Sequence, residues 1–357
     1  MLCDRGTMDC RSYMPEDEWE QLTREVGMST LQLRDERYDC VLHLVTAANG
    51  AAGFYTTEGH AARTEPPEFA RELDLRVKNN WIGHPHYHVI DNVNTDFNGK
   101  IRRVMSTICQ FVGLPGSIGM SKRKLLVKAS CIKKVGAPED SKKGDRIDFP
   151  ESIRYQRFEV DHDYILRPDQ DQGHQLRLRR RGLNGQYTYS YTLRYPDLHG
   201  QRVELKRLVT RREYFDLILQ KDPSTQTVSK KRYSFLYNDQ YFELDQFISP
   251  HPGLYLLEFY FEKDKPIDGI IPPFLEIERE VTGEKEYSMY NLARIGNHRS
   301  TKSLMAEDDL ASALLHTKSS ANDGHHHFSL THAAASAPTS PQIKPASNAL
   351  QVPNHKV

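Results

Sequence analysis

The sequence predicts two folded regions of different class. Residues 1–112 read as part of an α/β domain with a parallel sheet, and residues 113–296 as an α+β domain built on a large antiparallel sheet. Three observations predict this. Before residue 113, short apolar runs alternate with amphipathic helical stretches. After it, strands of period two dominate. From Asn297 the composition collapses into Ser, Ala, Thr, His and Pro without periodicity, so 297–357 is expected to be a disordered tail.

The first region begins with Met1-Leu2-Cys3-Asp4-Arg5-Gly6, which reads as the end of a strand closed by an acidic residue. Pro15 to Val26 follows as a helix with Trp19, Leu22 and Val26 on one face, and a proline suits its first turn. Cys40 to Val45 is a continuous apolar run, as in a strand buried on both faces. Pro67 to Trp81 aligns Phe69, Leu73 and Val77 in one helical stripe, and His86 to Ile90 is a second strand running into the polar Asp91-Asn92. Phe97 to Val112 carries Ile101, Val104, Met105, Ile108 and Val112 on one face, which predicts a long amphipathic helix. Strand, helix, strand, helix is the pattern of parallel strands joined by crossover helices.

Gly113-Leu-Pro-Gly116 marks the expected boundary. Beyond it, Leu176 and Leu178 alternate with Arg177 and Arg179, while Tyr187, Tyr189, Tyr191 and Leu193 alternate with Thr188, Ser190, Thr192 and Arg194. Asn184-Gly185 between them is a strong hairpin signal. Val203 and Leu205 alternate with Arg202, Glu204 and Lys206, and further strands are expected at 231–237, 240–247 and 254–261. A helix near 212–219 is expected to pack on this sheet.

Composition narrows the function classes. The chain has 357 residues, 38% of them hydrophobic, and a mean hydropathy of −0.66. No run of 18 apolar residues can cross a membrane as a helix, and no basic-then-apolar leader opens the chain. Five scattered cysteines without a C-x-x-C suit reduced thiols in the cytoplasm. Net charge is zero but unevenly spread: 12 Lys/Arg against 17 Asp/Glu before residue 113, then 31 against 27 up to 296. An anionic partner is therefore expected at the second region. Nucleic acid is not expected as a partner.

Asp4 is placed like the carboxylate that holds magnesium in a nucleotide site, yet no G-x-x-x-x-G-K-[ST] occurs in the chain. His84, His86 and His88 alternate at strand spacing, but three residues on one extended strand do not converge on a tetrahedral metal. His325-His326-His327 reads as part of the solvated tail. The basic strand face is the main physical feature. If the sheet curls shut, Arg177, Arg179, Arg194, Arg202, Lys206 and Arg232 converge as fixed donors for an anion, with Glu204 the main acidic interruption. If it stays open, the same face is simply solvated. No Ser/His/Asp set and no other catalytic residue is assigned.

Cys3 to Asp9, Thr56-Thr57-Glu58 with Arg63-Thr64-Glu65, and Trp81 to Pro85 resemble the AAA/nucleoside-kinase-like domain of the TRPL translocation defect protein 14 family, a P-loop NTPase-like fold. Gln175–Arg179, Arg202-Val-Glu204, Lys231-Arg232-Tyr233, Tyr241–Phe247, Gly253–Glu258 and the closing stretch from Pro272 to Ala293 resemble a CYTH (triphosphate tunnel) domain, which implies that the antiparallel sheet is closed. The order of the two matches is that of the family. The resemblance implies GTP with Mg2+ in the first domain, held through Asp4 with Arg63 facing the phosphates. It also implies binding of phosphatidic acid and phosphoinositides by the second domain, a cytoplasmic protein peripheral to membranes or vesicles, and a role in trafficking photoreceptor membrane proteins.

Two departures shape the expectation. The family's phosphate loop lies upstream of the aspartate, so this form is expected to be truncated there, with GTP binding weak or lost and no cofactor retained. A catalytic tunnel opens with E-x-E-x-K, whereas Met120-Ser-Lys122-Arg-Lys124 has no carboxylate. Without clustered carboxylates there is no clamp for metal ions. Lys122, Lys124, Arg177, Arg179, Arg194, Arg202, Lys206 and Arg232 are therefore expected to hold a phosphorylated headgroup. The alternative is a metal-dependent triphosphatase or nucleotide kinase.

Overall fold

Period-two patterning governs most of the chain, and in the computed structural model it becomes one long antiparallel ladder. The structure describes residues 1–56, 65–93, 95–114, 119–132, 134–135, 146–166, 174–195, 204–262 and 266–296, all within one compact unit. Among these residues the main sheet has nine strands, β3 (Met120–Val127), β6 (Tyr155–Ile165), β7 (Gln175–Leu183), β8 (Gln186–Arg194), β9 (Glu204–Val209), β10 (Val228–Tyr237), β11 (Gln240–Ser249), β12 (Tyr255–Glu262) and β13 (Ile277–Glu280), while β4 (Lys134–Val135) and β5 (Arg146–Ile147) pair apart from it. Their spatial order is β13-β3-β12-β11-β10-β6-β7-β8-β9. The β7–β8 hairpin turns through Asn184 and Gly185, both at positive φ, as the Asn-Gly pair predicts.

Residues directly opposite in an antiparallel pair share a face. On one face stand Leu125, Tyr233, Phe235, Phe242, Leu244, Leu257 and Phe259, a continuous apolar layer covered by Ile132, Ile147, Phe149 and Leu275. Farther along, Ile165 and Leu178 on this face pack under Tyr214 of α5 (Arg211–Ile218), the helix expected there. The other face is concave and charged. Glu204 on β9 comes close enough to act on the Tyr260 hydroxyl of β12, six strands away along the ladder. Closure was expected, but the ladder ends at β13 and β9, and no pairing joins these two edges among the described residues.

The two ends of the concave face are covered differently. At one end α6 (Met289–Ala293) packs Leu292 and Ala293 on Tyr164, Val228, Phe247 and Leu256. At the other end lies the N-terminal region. There β1 (Val41–Leu44) and β2 (Tyr87–Ile90) pair in parallel through α3 (Pro67–Asn80), as the alternating pattern predicts. Tyr87 meets Tyr241 of the main sheet edge to face at 5.2 Å, and Lys78 reaches Asp239 at 2.6 Å.

Several expectations for this region change. Met1 to Gly6 forms no strand. Among the described residues β1 pairs only with β2, and Leu44 is exposed, so β1 is not a strand buried on both faces. The other α-helices among the described residues are the short α1 (Thr7–Cys10), α2 (Glu16–Val26) and α4 (Phe97–Phe111). In α4 the expected apolar stripe faces outward at Ile101 and Met105, while Lys100, Ser106 and Thr107 are buried. The cause is local chemistry: Lys100 Nζ donates to the Val45 carbonyl at 2.6 Å and to Asn92 at 2.7 Å, tying its polar side to the strand ends.

Candidate anion-binding site

The register carries the site. Arg177, Arg179 and Arg181 on β7 stand opposite Tyr164, His162 and Val160 on β6, and opposite Thr192, Ser190 and Thr188 on β8. Lys206 on β9 stands opposite Thr192. Across β10, β11, β12 and β3 the same face continues through Lys230, Arg232, Glu243, Asp245, Glu258, Lys122 and Lys124. Every described member of the expected basic set is thus on the concave face. Arg63 and Arg202 lie outside the described residues.

The face divides into two electrostatic halves. In the β10–β3 half every cation has a carboxylate. Arg232 donates to Asp245 at 2.7 Å, to Glu243 at 2.6 Å and to Glu258 at 2.9 Å. Lys230 reaches Asp245 at 2.6 Å, Lys122 reaches Glu258 at 2.8 Å, and Lys124 reaches Glu258 at 3.3 Å. Burial opposes the charge of Glu258, but Lys122, Lys124 and Arg232 hold its carboxyl well below the usual range. Burial likewise opposes Arg232, and its three carboxylates hold it protonated. This overturns the expectation of an almost purely basic face without clustered carboxylates. Glu243-Leu-Asp245 carries two acids at strand spacing inside an expected strand, a signal that was available in the sequence.

In the β7–β9 half the cations crowd one another. The Nε atoms of Arg177, Arg179 and Arg181 and the Nδ1 of His162 are buried without a hydrogen-bond partner among the described residues. Arg179 and Lys206 have no ion pair among the described residues. Burial and the neighbouring Arg181 and Arg232 push Arg179 down to about 9. A guanidinium still stays protonated at neutral pH, so the shift registers uncompensated positive potential. Burial of its tip, then Arg179, Arg181 and Arg177, push the Lys206 ammonium down to about 8, although the residue itself sits exposed on the edge strand. Burial, then Lys230, Arg177 and Arg179, keep His162 neutral. Arg194 differs from its neighbours: it is bound to Glu204 at 2.7 Å and partly exposed.

No family model matches the chain, and no curated protein matches it. Solved structures do. The chain is similar to an inorganic triphosphatase at 26% identity, over 48% of this chain and 95% of that one, with a TM-score of 0.32. It is similar to a Pyrococcus horikoshii protein at 16% identity, over 41% and 80%, with a TM-score of 0.28. It is also similar to a protein named as a putative adenylate cyclase from Vibrio parahaemolyticus, at 15% identity, over 42% and 78%, with a TM-score of 0.26.

The donor set does not fit a resident Mg2+. Glu243, Asp245 and Glu258 are all engaged by Arg232 and the lysines, and no group of three His, Cys, Asp or Glu side chains suited to a metal exists among the described residues. His84, His86 and His88 do not converge either. His84 bonds the Tyr38 carbonyl at 2.8 Å, His88 packs on Tyr260, and burial with Lys206 nearby pushes His86 down to about 2. Asp4 is exposed on the rim of a groove of about 2120 Å3 between β1, α3 and α4. No helix among the described residues is long and apolar enough to cross a membrane.

Proposed function

We propose that the protein binds a short phosphate chain, either inorganic triphosphate or the triphosphate of a nucleotide, on the concave face between β7 and β9, in a sheet of the CYTH (triphosphate tunnel) kind. One observation carries this reading: among the described residues, Arg177 and Arg179 hold buried Nε–H donors without an acceptor, beside a Lys206 without an ion pair. Each buried donor left unmade costs about 1–3 kcal/mol. A multivalent anion supplies the missing acceptors and cancels the crowded charge. Arg177 and Arg179 would grip adjacent phosphates, Lys206 would close over the outer one, and neutral His162 would face it from β6.

A phosphorylated lipid headgroup, as the family resemblance implies, offers the same phosphate chemistry. The covered ends of the face favour the free anion, because a lipid would have to keep its chains in a bilayer while its headgroup lay between α6 and the N-terminal region. GTP held at Asp4 draws no comparable support: the carboxylate is exposed and pairs with no side chain among the described residues. Calorimetric titration with tripolyphosphate and with GTP, alongside flotation with phosphatidic acid and phosphoinositide liposomes, separates the sources. Binding of tripolyphosphate that is abolished in Arg177→Ala with Arg179→Ala is expected. Headgroup-selective liposome binding without any uptake of the soluble anion would replace this reading with the lipid one. Phosphate release in the presence of Mg2+ or Mn2+ would extend it to the triphosphatase alternative.

A further inference from the structure

Arg177, Arg179 and Arg181, the arginines of β7 on the concave face, are spaced two residues apart and span about 13 Å of strand, yet they are not equivalent. Of the three, Arg181 is the one with a carboxylate partner among the described residues. Its guanidinium pairs with Asp35 and donates to the Gly83 carbonyl, and it stacks on Phe158 with 3.4 Å to the ring centroid. Asp35 comes from a helical turn of the N-terminal region, Gln32–Glu36, 146 residues away in sequence. Arg34 fixes it from behind, donating to its carboxylate at 2.5 Å, to the Ile82 carbonyl at 2.6 Å and to Gln156 of β6 at 2.5 Å. Arg34 is fully buried and Arg181 nearly so. The backbone closes as tightly: Gly83 has φ of +104°, and a Cβ there would lie 2.7 Å from Phe158 and 2.8 Å from Arg34. Lys206, across the face, also feels the Asp35 charge.

We infer that Asp35 is a built-in counter-anion that occupies the Arg181 end of the basic row, so that the N-terminal region sets how long a phosphate chain the concave face accepts. The inference rests on the proposed anion site. A carboxylate held by two guanidiniums takes the place of a terminal phosphate, and the ligand has Arg177, Arg179 and Lys206 but not Arg181. Because α6 covers the opposite end, a long phosphate chain cannot thread the face, and a compact one fills it.

The test is calorimetric titration of the whole chain with orthophosphate, pyrophosphate, tripolyphosphate and a long-chain polyphosphate. The wild-type protein should gain affinity up to tripolyphosphate and gain nothing for the long chain. Asp35→Asn frees Arg181 and should tighten tripolyphosphate binding about tenfold or more. Asp35→Asn with Arg181→Gln removes both charges together and should bind as the wild type does; this variant carries the test where the single one fails to fold. Tripolyphosphate bound equally by wild type and Asp35→Asn, or lost in the double variant, would overturn the role of Asp35 and leave the anion site standing. Absence of binding to every protein would overturn the site itself, and the inference with it.

Discussion

The two halves of one sheet face solve the same problem in opposite ways. Around Arg232, four cations meet Glu243, Asp245 and Glu258, and each buried charge has its partner. Around Arg179, cations stand beside cations, and buried Nε–H donors lack acceptors among the described residues. Burying an unpaired charge is costly, whereas a hydrogen-bonded pair can break even. The first half is therefore a stability element. The second stores positive potential that only a ligand relieves. Composition alone hides the contrast, because the basic residues of both halves look alike in sequence.

The sharpest way to break this comparison is to remove the central cation from each half. Arg232→Ala should lose about 3–5 kcal/mol of stability, since buried Glu243 loses its partner while Asp245 and Glu258 keep only their lysines, and urea denaturation would show it. Stability unchanged within about 0.5 kcal/mol would contradict that pairing. The matching change in the other half, Arg179→Ala, should leave the urea midpoint level or raised while tripolyphosphate affinity falls about ten- to a hundredfold. A loss of stability without a loss of affinity would make Arg179 structural.

A smaller effect follows from pH. The depressed value of Lys206 means that its charge is complete below about 8 and is lost as pH rises through it. Affinity should hold steady below that point and drop by up to about tenfold per unit above it. The same titration on Lys206→Arg controls for the ligand's own ionisation and should lack this step. The smallest change is expected at Arg194, whose exposed pair with Glu204 is worth under about 1 kcal/mol. Arg194→Ala should scarcely move either stability or affinity, and a large drop in binding would bring it into the site after all.

How far the site was legible depends on distance along the chain. Alternation places Arg177 and Arg179 on one side of β7, and Asn184-Gly185 fixes the neighbour strand and its register, so this part of the face follows from local patterning. The acidic half was readable in part. Glu243-Leu-Asp245 shows two acids on one side of a strand, but their partner Arg232 is known only from the β10–β11 pairing. The α4 stripe misled for a related reason: an amphipathic pattern says that one side is apolar, and the bonds of Lys100 decide which side packs.

The sequence by itself determined the antiparallel sheet, its hairpin, the division into one apolar and one charged face, and the basic character of β7, because strand periodicity and turn chemistry are local. Only the tertiary structure decided which charges are spent and which are free. Arg181 and Arg179 are two residues apart on the same strand and chemically identical. Arg181 is neutralised by Asp35 from 146 residues upstream, and Arg179 has no ion pair among the described residues. Charge pairing depends on distances across the folded chain, and those are set by the packing of the N-terminal region on the end of the sheet.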